Sequence, residues 1–166
     1  MNRRKEMSVY EEMGFKPSKE IVSEAAVYNI ARTFTLLNRA FQRLYARFQV
    51  TPAKFNVLML VKHGGGGRGL SQCNLASRLI ISGSNVTGLV DRLEKEGLLA
   101  RNAVSEDRRV KRIKITPQGS ALLDKLWLSH LKEIERVMHP LSLEKQKELI
   151  ALLTEIRMPL QKKEGE

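Results

Sequence analysis

The hydrophobic pattern changes period near residue 98, and this change constrains the fold more than any other feature of the sequence. Before it, apolar residues recur every three or four positions, and the segment that begins at Ser82 has one apolar face, made of Val86, Leu89, Val90 and Leu93. This spacing predicts a helix, which Gly97 ends because glycine readily adopts the left-handed conformation that follows a helix. Residues 98–104 and 110–115 then have the composition and alternation of strands, so they predict a hairpin.

Two further helical segments precede this unit. Thr51-Pro52 begins the first, because threonine caps a helix and proline is favoured at its first position. The glycine run at 64–69 ends that helix, and we interpret the run as a flexible linker. Ser71 then caps a short helix. Residues 51–116 therefore predict helix, helix, turn, helix and hairpin, which is the order of a helix-turn-helix followed by a two-stranded hairpin.

Amphipathic helices are also predicted on both sides of residues 51–116. In residues 18–50 the helix begins near Ser18, and its apolar stripe consists of Ile30, Phe34, Leu37, Phe41, Leu44 and Phe48. A helix of about 30 residues is ~45 Å long, so part of this stripe needs a partner from elsewhere. Residues 117–158 predict two more helices. The ends are predicted to be a flexible N-terminal arm over 1–17 and a charged tail over 159–166.

The charge of the chain indicates a nucleic-acid partner. The formal net charge is +11 and the isoelectric point is near 10.0, which is typical of nucleic-acid binders, although basic membrane-surface proteins share it. Residues 51–116 contain 12 Lys and Arg against 5 Asp and Glu, whereas residues 117–166 contain 8 of each class. The positive charge is therefore concentrated in the predicted helix-turn-helix and hairpin, which favours double-stranded DNA.

The remaining composition excludes several classes of protein. The single cysteine, Cys73, excludes an intramolecular disulfide framework and a multi-cysteine zinc module. No apolar run approaches the ~20 residues of a membrane span. The first residues are charged and have no apolar core, so they do not predict a signal peptide. We expect a cytoplasmic protein without a membrane partner.

The helix that begins at Ser82 is the candidate recognition helix. Small polar side chains at its start can donate hydrogen bonds to base edges or phosphates in the major groove, and they are Ser82, Ser84, Asn85 and Thr87. The hairpin that follows is basic, and a basic ribbon favours the narrow, electronegative minor groove. Its basic residues are Arg101, Arg108, Arg109, Lys111, Arg112 and Lys114.

The same stretch resembles a known family. The run from Asn85 to Arg101 reads NVTGLVDRLEKEGLLAR, and it is followed by SEDRR at 105–109 and IKITPQG at 113–119. Together these motifs resemble the signature of the MarR family, and with the flanking helices the resemblance covers about residues 20–158. It implies a mainly α (α+β) winged helix-turn-helix homodimer, in which residues 18–50 and 117–158 are dimerisation helices and 51–116 the DNA-binding domain.

The resemblance also implies roles for individual residues. Arg109 enters the minor groove, Asp107 orients the wing through an ion pair, and Asp91 and Arg92 are scaffold or phosphate contacts. Gly88 departs from the larger polar or basic residue common in the family, which removes one contact to DNA. A small aromatic or lipophilic effector is expected beside the dimerisation helices. Its candidate pocket consists of Phe41, Tyr45, Phe48, Phe55 and Trp127, although each of these is more often a core residue.

We therefore expect a sequence-specific repressor that binds a pseudo-palindromic operator as a homodimer and is released by a small-molecule effector. The alternative is an architectural or protein-interaction module with little sequence preference, whose DNA binding depends mainly on salt. An enzyme is not expected, because there is no paired nucleophile and base and no cofactor loop. No metal or cofactor is expected either, since His63, His130 and His139 are scattered. Cys73 is either a redox switch or, preferably, a buried small hydrophobic residue.

Overall fold

Helices account for most of the structure, a computed structural model that describes residues 8–17, 19, 21–79, 86–103 and 111–163. The elements are α1 (Val9–Met13), α2 (Val22–Ala46), α3 (Pro52–Gly64), α4 (Gln72–Ala76), α5 (Val86–Lys95), β1 (Leu99–Ala103), β2 (Lys111–Ile115), α6 (Pro117–Met138) and α7 (Leu143–Lys163). This confirms the predicted mainly helical class with one small antiparallel sheet. The chain divides into two units, residues 1–124 and 125–166, and each is described by itself.

Helix α1 corrects the part of the flexible-arm prediction that covers Val9–Met13, and residues 1–7 lie outside the described residues. Ser8 begins it with a reciprocal cap: its hydroxyl accepts from the Glu11 backbone N–H at 3.3 Å, and the Glu11 carboxylate accepts from the Ser8 N–H at 3.0 Å. Tyr10 is buried, and its ring meets that of Tyr28 on α2 edge to face at 5.8 Å. A helix of five residues is too short to show a period in the sequence, and its burial on α2 stabilises it.

Helix α2 begins later than predicted and is buried only near its end. Its N-cap position is Ile21, which forms no side-chain cap, and Ser18 lies outside the described residues. Near its C-terminus Tyr45 stacks on Phe55 of α3, with ring centroids 4.7 Å apart. Several large apolar residues of α2 and its cap are exposed in the single chain, namely Ile21, Val22, Val27, Ile30, Phe34 and Leu36.

The lobe formed by α3, α4, α5 and the hairpin has a continuous aliphatic core. Thr51 caps α3 as predicted, since its hydroxyl accepts from the Lys54 N–H at 3.2 Å. The buried side chains are Val57, Leu58 and Val61 of α3, Leu75 of α4, Val90 and Leu93 of α5, and Ile113 of β2. The strands pair antiparallel from Leu99 opposite Ile115 to Ala103 opposite Lys111, so the predicted hairpin is present in its stem.

The glycine run between α3 and α4 is not the simple flexible linker that the sequence suggested. Gly69 has φ +79°, and a Cβ atom placed on it would lie 2.6 Å from the carbonyl oxygen of Ile113. The next residue, Leu70, forms a bridge to β2: its N–H donates to the Ile113 carbonyl at 3.0 Å and its carbonyl accepts from the Ile113 N–H at 2.8 Å. The run therefore holds Leu70 against β2 through an isolated β-bridge.

Thr116 joins the end of α5 to the start of α6. Its hydroxyl donates to the Gly97 carbonyl at 2.7 Å and accepts from the Gly119 N–H at 3.0 Å. Gly97 has φ +71°, as its predicted position after the helix requires. A Cβ atom on Gly119 would lie 2.2 Å from the Leu98 carbonyl oxygen, so only glycine allows α6 to approach the strand so closely.

The second unit contains the rest of α6 and all of α7. Its apolar residues are largely exposed in the single chain, among them Leu128, Leu131, Ile134, Leu149, Ile150, Leu153, Ile156 and Leu160. Helix α7 continues to Lys163 through Pro159, so the charged tail predicted for 159–166 begins as helix. Proline has a φ compatible with a helix, but it lacks an N–H donor and its ring crowds the carbonyl one turn earlier; the residues after it are good helix formers. None of the described helices combines the length and the hydrophobicity of a membrane span.

Candidate DNA-binding site

The structure describes the elements that hold the candidate DNA-binding site, but only some of the residues predicted to contact DNA. Helix α4, helix α5 and the stem of the hairpin are all present. Six of the predicted residues, namely Ser82, Ser84, Asn85, Asp107, Arg108 and Arg109, lie outside the described residues. Thr87, Arg92, Lys111 and Arg112 lie within them, and their surroundings are described next.

Helix α5 has one buried and one exposed face. Val86 is 5% exposed, and Val90 and Leu93 are fully buried, so this stripe fixes the rotation of the helix on the lobe. Thr87 and Arg92 are exposed. The Arg92 Nε donates to the Gly88 carbonyl at 3.2 Å, which keeps the side chain along its own helix. The core therefore presents the polar face of α5 to solvent.

Arg101 connects the hairpin to α5 and does not point away as a free basic residue. Its Nη2 lies 2.5 Å from the Asp91 carboxylate, and its Nη1 lies 2.5 Å from the Glu94 carboxylate. The Arg101 backbone N–H also donates to Glu94, at 3.1 Å. Its guanidinium can hold two carboxylates at once because its donors form a planar fork. Asp91 thus has the scaffold role that the family resemblance allowed.

Helices α4 and α5 are also joined by a hydrogen bond between their first turns. The Gln72 Nε2 donates to the Thr87 Oγ1 at 2.6 Å. Thr87 is exposed and Gln72 is half-buried, so this bond lies at the surface of the helix-turn-helix. It constrains the orientation of a side chain that was predicted to contact DNA.

The hairpin stem presents basic side chains beside α5. Lys111 is exposed and stands opposite Ala103, whereas Arg112 is half-buried and stands opposite Asn102. Ile113, between Arg112 and Lys114, is 1% exposed, which agrees with the predicted alternation of β2.

Ion pairing leaves this surface positive. Besides the Arg101 pairs, the Glu96 carboxylate is matched by Lys54 of α3 at 2.5 Å. Among the described residues, no ion pair involves the remaining basic side chains of α5 and β2, which are Arg92, Lys95, Lys111, Arg112 and Lys114. Their charge is therefore available to attract the phosphates of a nucleic acid.

The candidate effector residues occupy different environments. Tyr45 and Phe55 are 3% and 5% exposed and stack on each other, so they fill the junction of α2 and α3, and burial raises the pKa of Tyr45. Phe41 and Phe48 are half-buried. Trp127 lies in the second unit, where its ring is 5.2 Å from that of His130. Burial lowers the pKa of His130.

Cys73 is exposed, so the prediction that it is a buried small hydrophobic residue is wrong. Helix α4 buries Leu75, and a residue two positions earlier in a helix faces nearly the opposite way. In the part of the chain that the structure describes, no three His, Cys, Asp or Glu side chains come together as metal ligands would.

Sequence reasoning missed three contributors to the site, namely Gln72, Gly69 and the fork at Arg101. Asp91 and Glu94 are three residues apart on a helix, which is the spacing that lets two side chains share one partner. This spacing was a sign of a shared basic partner, although it did not identify Arg101. A glycine one residue before an isolated apolar residue was a weaker sign of a close backbone approach. No local pattern identified the partner of Gln72.

Comparison with known proteins agrees with this architecture. The MarR family matches residues 48–110. The Bacillus subtilis regulator YkoM is 32% identical over 136 residues, which cover 81% of this chain and 86% of YkoM. The Dickeya dadantii regulator PecS is 26% identical over 145 residues, which cover 87% of each chain. Both relatives carry the description of helix-turn-helix transcriptional regulators.

Solved structures show the same fold at lower identity. Bordetella bronchiseptica BpsR superimposes with a TM-score of 0.74 at 22% identity, covering 85% of this chain and 99% of BpsR. Staphylococcus aureus MepR superimposes with a TM-score of 0.71 at 22% identity, covering 78% of this chain and 94% of MepR. The comparisons confirm the prediction of a transcriptional regulator and not an enzyme. The chain belongs to the MarR family of winged helix-turn-helix, DNA-binding transcriptional regulators.

Proposed function

We propose that this regulator is a repressor that recognises a pseudo-palindromic operator through α5 and the wing. The observation that carries the proposal is the paired positioning of these two elements. The core stripe Val86, Val90 and Leu93 fixes α5 with its polar face outward, while Arg101 ties the hairpin to the same helix. A helix held in this way fits the major groove, and a basic ribbon beside it can reach the minor groove.

Within this arrangement we assign contacts by chemistry. Ser82, Ser84, Asn85 and Thr87 read base edges, since small polar side chains at the start of a recognition helix are best placed for this. Arg92, Arg108, Lys111 and Arg112 contact phosphates and fix the register on the duplex. Arg109 enters the minor groove, and Asp107 orients it through an ion pair. MepR, which shares the fold, has been solved as a complex with DNA.

A homodimer accounts for the apolar surface that the chain leaves exposed. On α2, Val22 is 86% exposed and Phe34 is 63% exposed, and on α7 Ile150 is 66% exposed. Apolar patches of this kind mark association surfaces. We assign residues 18–50 and 117–158 to dimerisation and residues 51–116 to DNA binding. A two-fold dimer then reads half-sites one DNA turn, about 34–36 Å, apart.

Repression would be steric, through occupation of an operator that overlaps a promoter, and an effector would release it. BpsR is described as regulated in its DNA binding by 6-hydroxynicotinic acid, a small aromatic compound of the class we expect. For this chain the candidate effector residues are Phe41, Tyr45, Phe48 and Phe55, and Trp127 stays a prediction. An effector that favours the released state by ~3 kcal/mol lowers the affinity for the operator about a hundredfold.

The test is operator selection from random duplex DNA with the full chain. Wild type is compared with Arg109→Ala and with Lys16→Ala, a control that removes the same charge from an exposed position between α1 and α2, outside the dimerisation and DNA-binding segments. We expect a pseudo-palindromic consensus that Arg109→Ala weakens and Lys16→Ala leaves intact. Uniform binding that falls with salt and shows no consensus would instead favour an architectural module.

A further inference from the structure

We propose that Gln72 is a specificity-determining residue that acts through Thr87, so that the two side chains form one base-reading unit. The Gln72 amide fixes the Thr87 hydroxyl with its hydrogen directed toward DNA. Thr87 would then favour a base that presents an acceptor in the major groove. This inference rests on the proposed binding through α5, and it adds a residue of α4 to the determinants of the operator sequence.

The geometry of the pair carries the first step. Gln72 is the first residue of α4, and Thr87 is the second residue of α5. Their side chains meet at 2.6 Å between Nε2 and Oγ1, which is a short hydrogen bond. Thr87 is exposed, so one side of its hydroxyl contacts Gln72 and the rest faces solvent where DNA would bind.

The chemistry of the hydroxyl carries the second step. Threonine offers one O–H donor and two acceptor lone pairs. Because the Gln72 amide N–H occupies one lone pair, the Thr87 hydrogen points away from the amide nitrogen, and on the open side it can donate to an acceptor on DNA. The acceptors that a major groove offers there are guanine N7 and O6, adenine N7 and thymine O4. Cytosine, which presents only its N4 amino donor, does not match.

The third step is that the fold does not need this bond. The rotation of α5 is already fixed by its buried stripe and by Arg101, and a hydrogen bond between side chains that water can reach contributes little to stability. The bond has a larger effect on DNA recognition, because an unconstrained threonine hydroxyl rotates and can accept as well as donate. Variants at Gln72 and Thr87 are therefore expected to fold normally.

The test measures base preference at each position of the selected operator for wild type, Gln72→Ala, Thr87→Val and the double variant. Thr87→Val keeps the shape of the side chain and removes the hydroxyl. We expect both single variants to lose about tenfold discrimination at the same base pair of each half-site. The double variant should lose no more than either single variant, because one interaction has been removed in each case.

Two further variants separate this mechanism from a general loss of affinity. Gln72→Glu offers acceptors only, so its carboxylate should take the Thr87 hydrogen and abolish the preference at that base pair. Asn74→Ala removes an exposed amide two residues along the same helix, and it should leave the preference unchanged. Thermal melting of all variants should match wild type, which shows that any loss belongs to recognition.

The outcomes distinguish this inference from the proposed function. A wild-type protein that selects no consensus would overturn both. A consensus that depends on Arg109 but is unchanged by Gln72→Ala would overturn the proposed role of Gln72 and leave the proposed function intact. Losses from Gln72→Ala and Thr87→Val that fall on different base pairs, or that add in the double variant, would also overturn it, because the two residues would then act independently.

Discussion

Replacing Gly69 by alanine should detach the loop before α4 from the hairpin, and the loss of unfolding free energy follows from the contacts of Gly69. The φ of Gly69 is +79°, and the added Cβ would lie 2.6 Å from the carbonyl oxygen of Ile113 and 2.8 Å from the Cγ of Lys114. The Lys114 side chain can rotate away. The Ile113 carbonyl belongs to the β2 backbone, so the strand and the loop must separate.

The magnitude follows from the interactions that this separation breaks. Alanine in a left-handed conformation costs about 1–2 kcal/mol, partly offset by the lower entropy of its unfolded chain. Separation also breaks the two hydrogen bonds between Leu70 and Ile113, at 3.0 and 2.8 Å, each of which contributes about 1 kcal/mol. We therefore expect Gly69→Ala to lower the free energy of unfolding by about 3 kcal/mol.

Gly67 provides the matched control. It lies in the same loop with φ +78°, and a Cβ atom there would meet nothing within 4 Å. Gly67→Ala should therefore lower the free energy of unfolding by only about 1 kcal/mol, because alanine is strained in the left-handed conformation but breaks no contact. The difference of about 2 kcal/mol corresponds to about 4–8 °C in melting temperature for a chain of this size.

Urea unfolding and hydrogen exchange measure the two parts of this prediction. Urea unfolding gives the stability difference between the two variants. In Gly69→Ala alone, the amides of Leu70 and Ile113 should exchange faster, since both donate across the bridge. The argument that the close backbone approach requires glycine at this position would be refuted by either of two results. The two variants could lose equal free energy of unfolding, or the Leu70 and Ile113 amides of Gly69→Ala could exchange as slowly as in wild type.

Three further predictions concern the connections around α5 and the second unit. Arg101→Met should lower the free energy of unfolding by about 1 kcal/mol, because the fork to the two partly exposed carboxylates is lost; urea unfolding that matches wild type would contradict it. Thr116→Val removes both hydroxyl bonds and should cost about 2 kcal/mol in the same assay, whereas Thr116→Ser should cost less than half of that. Burial lowers the pKa of His130 below its ordinary 6.5, so folding favours the neutral ring. The stability that this preference contributes is present above pH 6.5 and should be lost as the pH falls through the lowered pKa of the folded protein. In thermal melts between pH 7.5 and 5, His130→Phe should lose less stability on acidification than wild type does. The exposed control His139→Gln should lose as much as wild type. Identical pH profiles for the two variants would contradict the role of His130.

The sequence determined the local architecture of the DNA-binding lobe. The spacing of Val86, Val90 and Leu93 defined a helix with one buried face, and the alternation around Ile113 defined a strand. Thr51 and Gly97 marked the ends of elements through the caps and conformations that these residue types favour. Such signals are readable because they depend on neighbours within one or two turns. The motifs in the same stretch also identified the family.

Tertiary structure alone decided which distant residues meet. Tyr10 gives α1 its stability by packing on α2, Gly69 lets a loop lie on β2, and Gln72 reaches Thr87 across 15 positions of the chain. Arg101 was read from the sequence as one of several basic residues of a wing, yet it faces two carboxylates of α5. Periodicity gives the face on which a side chain lies, but its partner depends on how the elements pack. Contacts between elements were therefore settled only when the chain had folded.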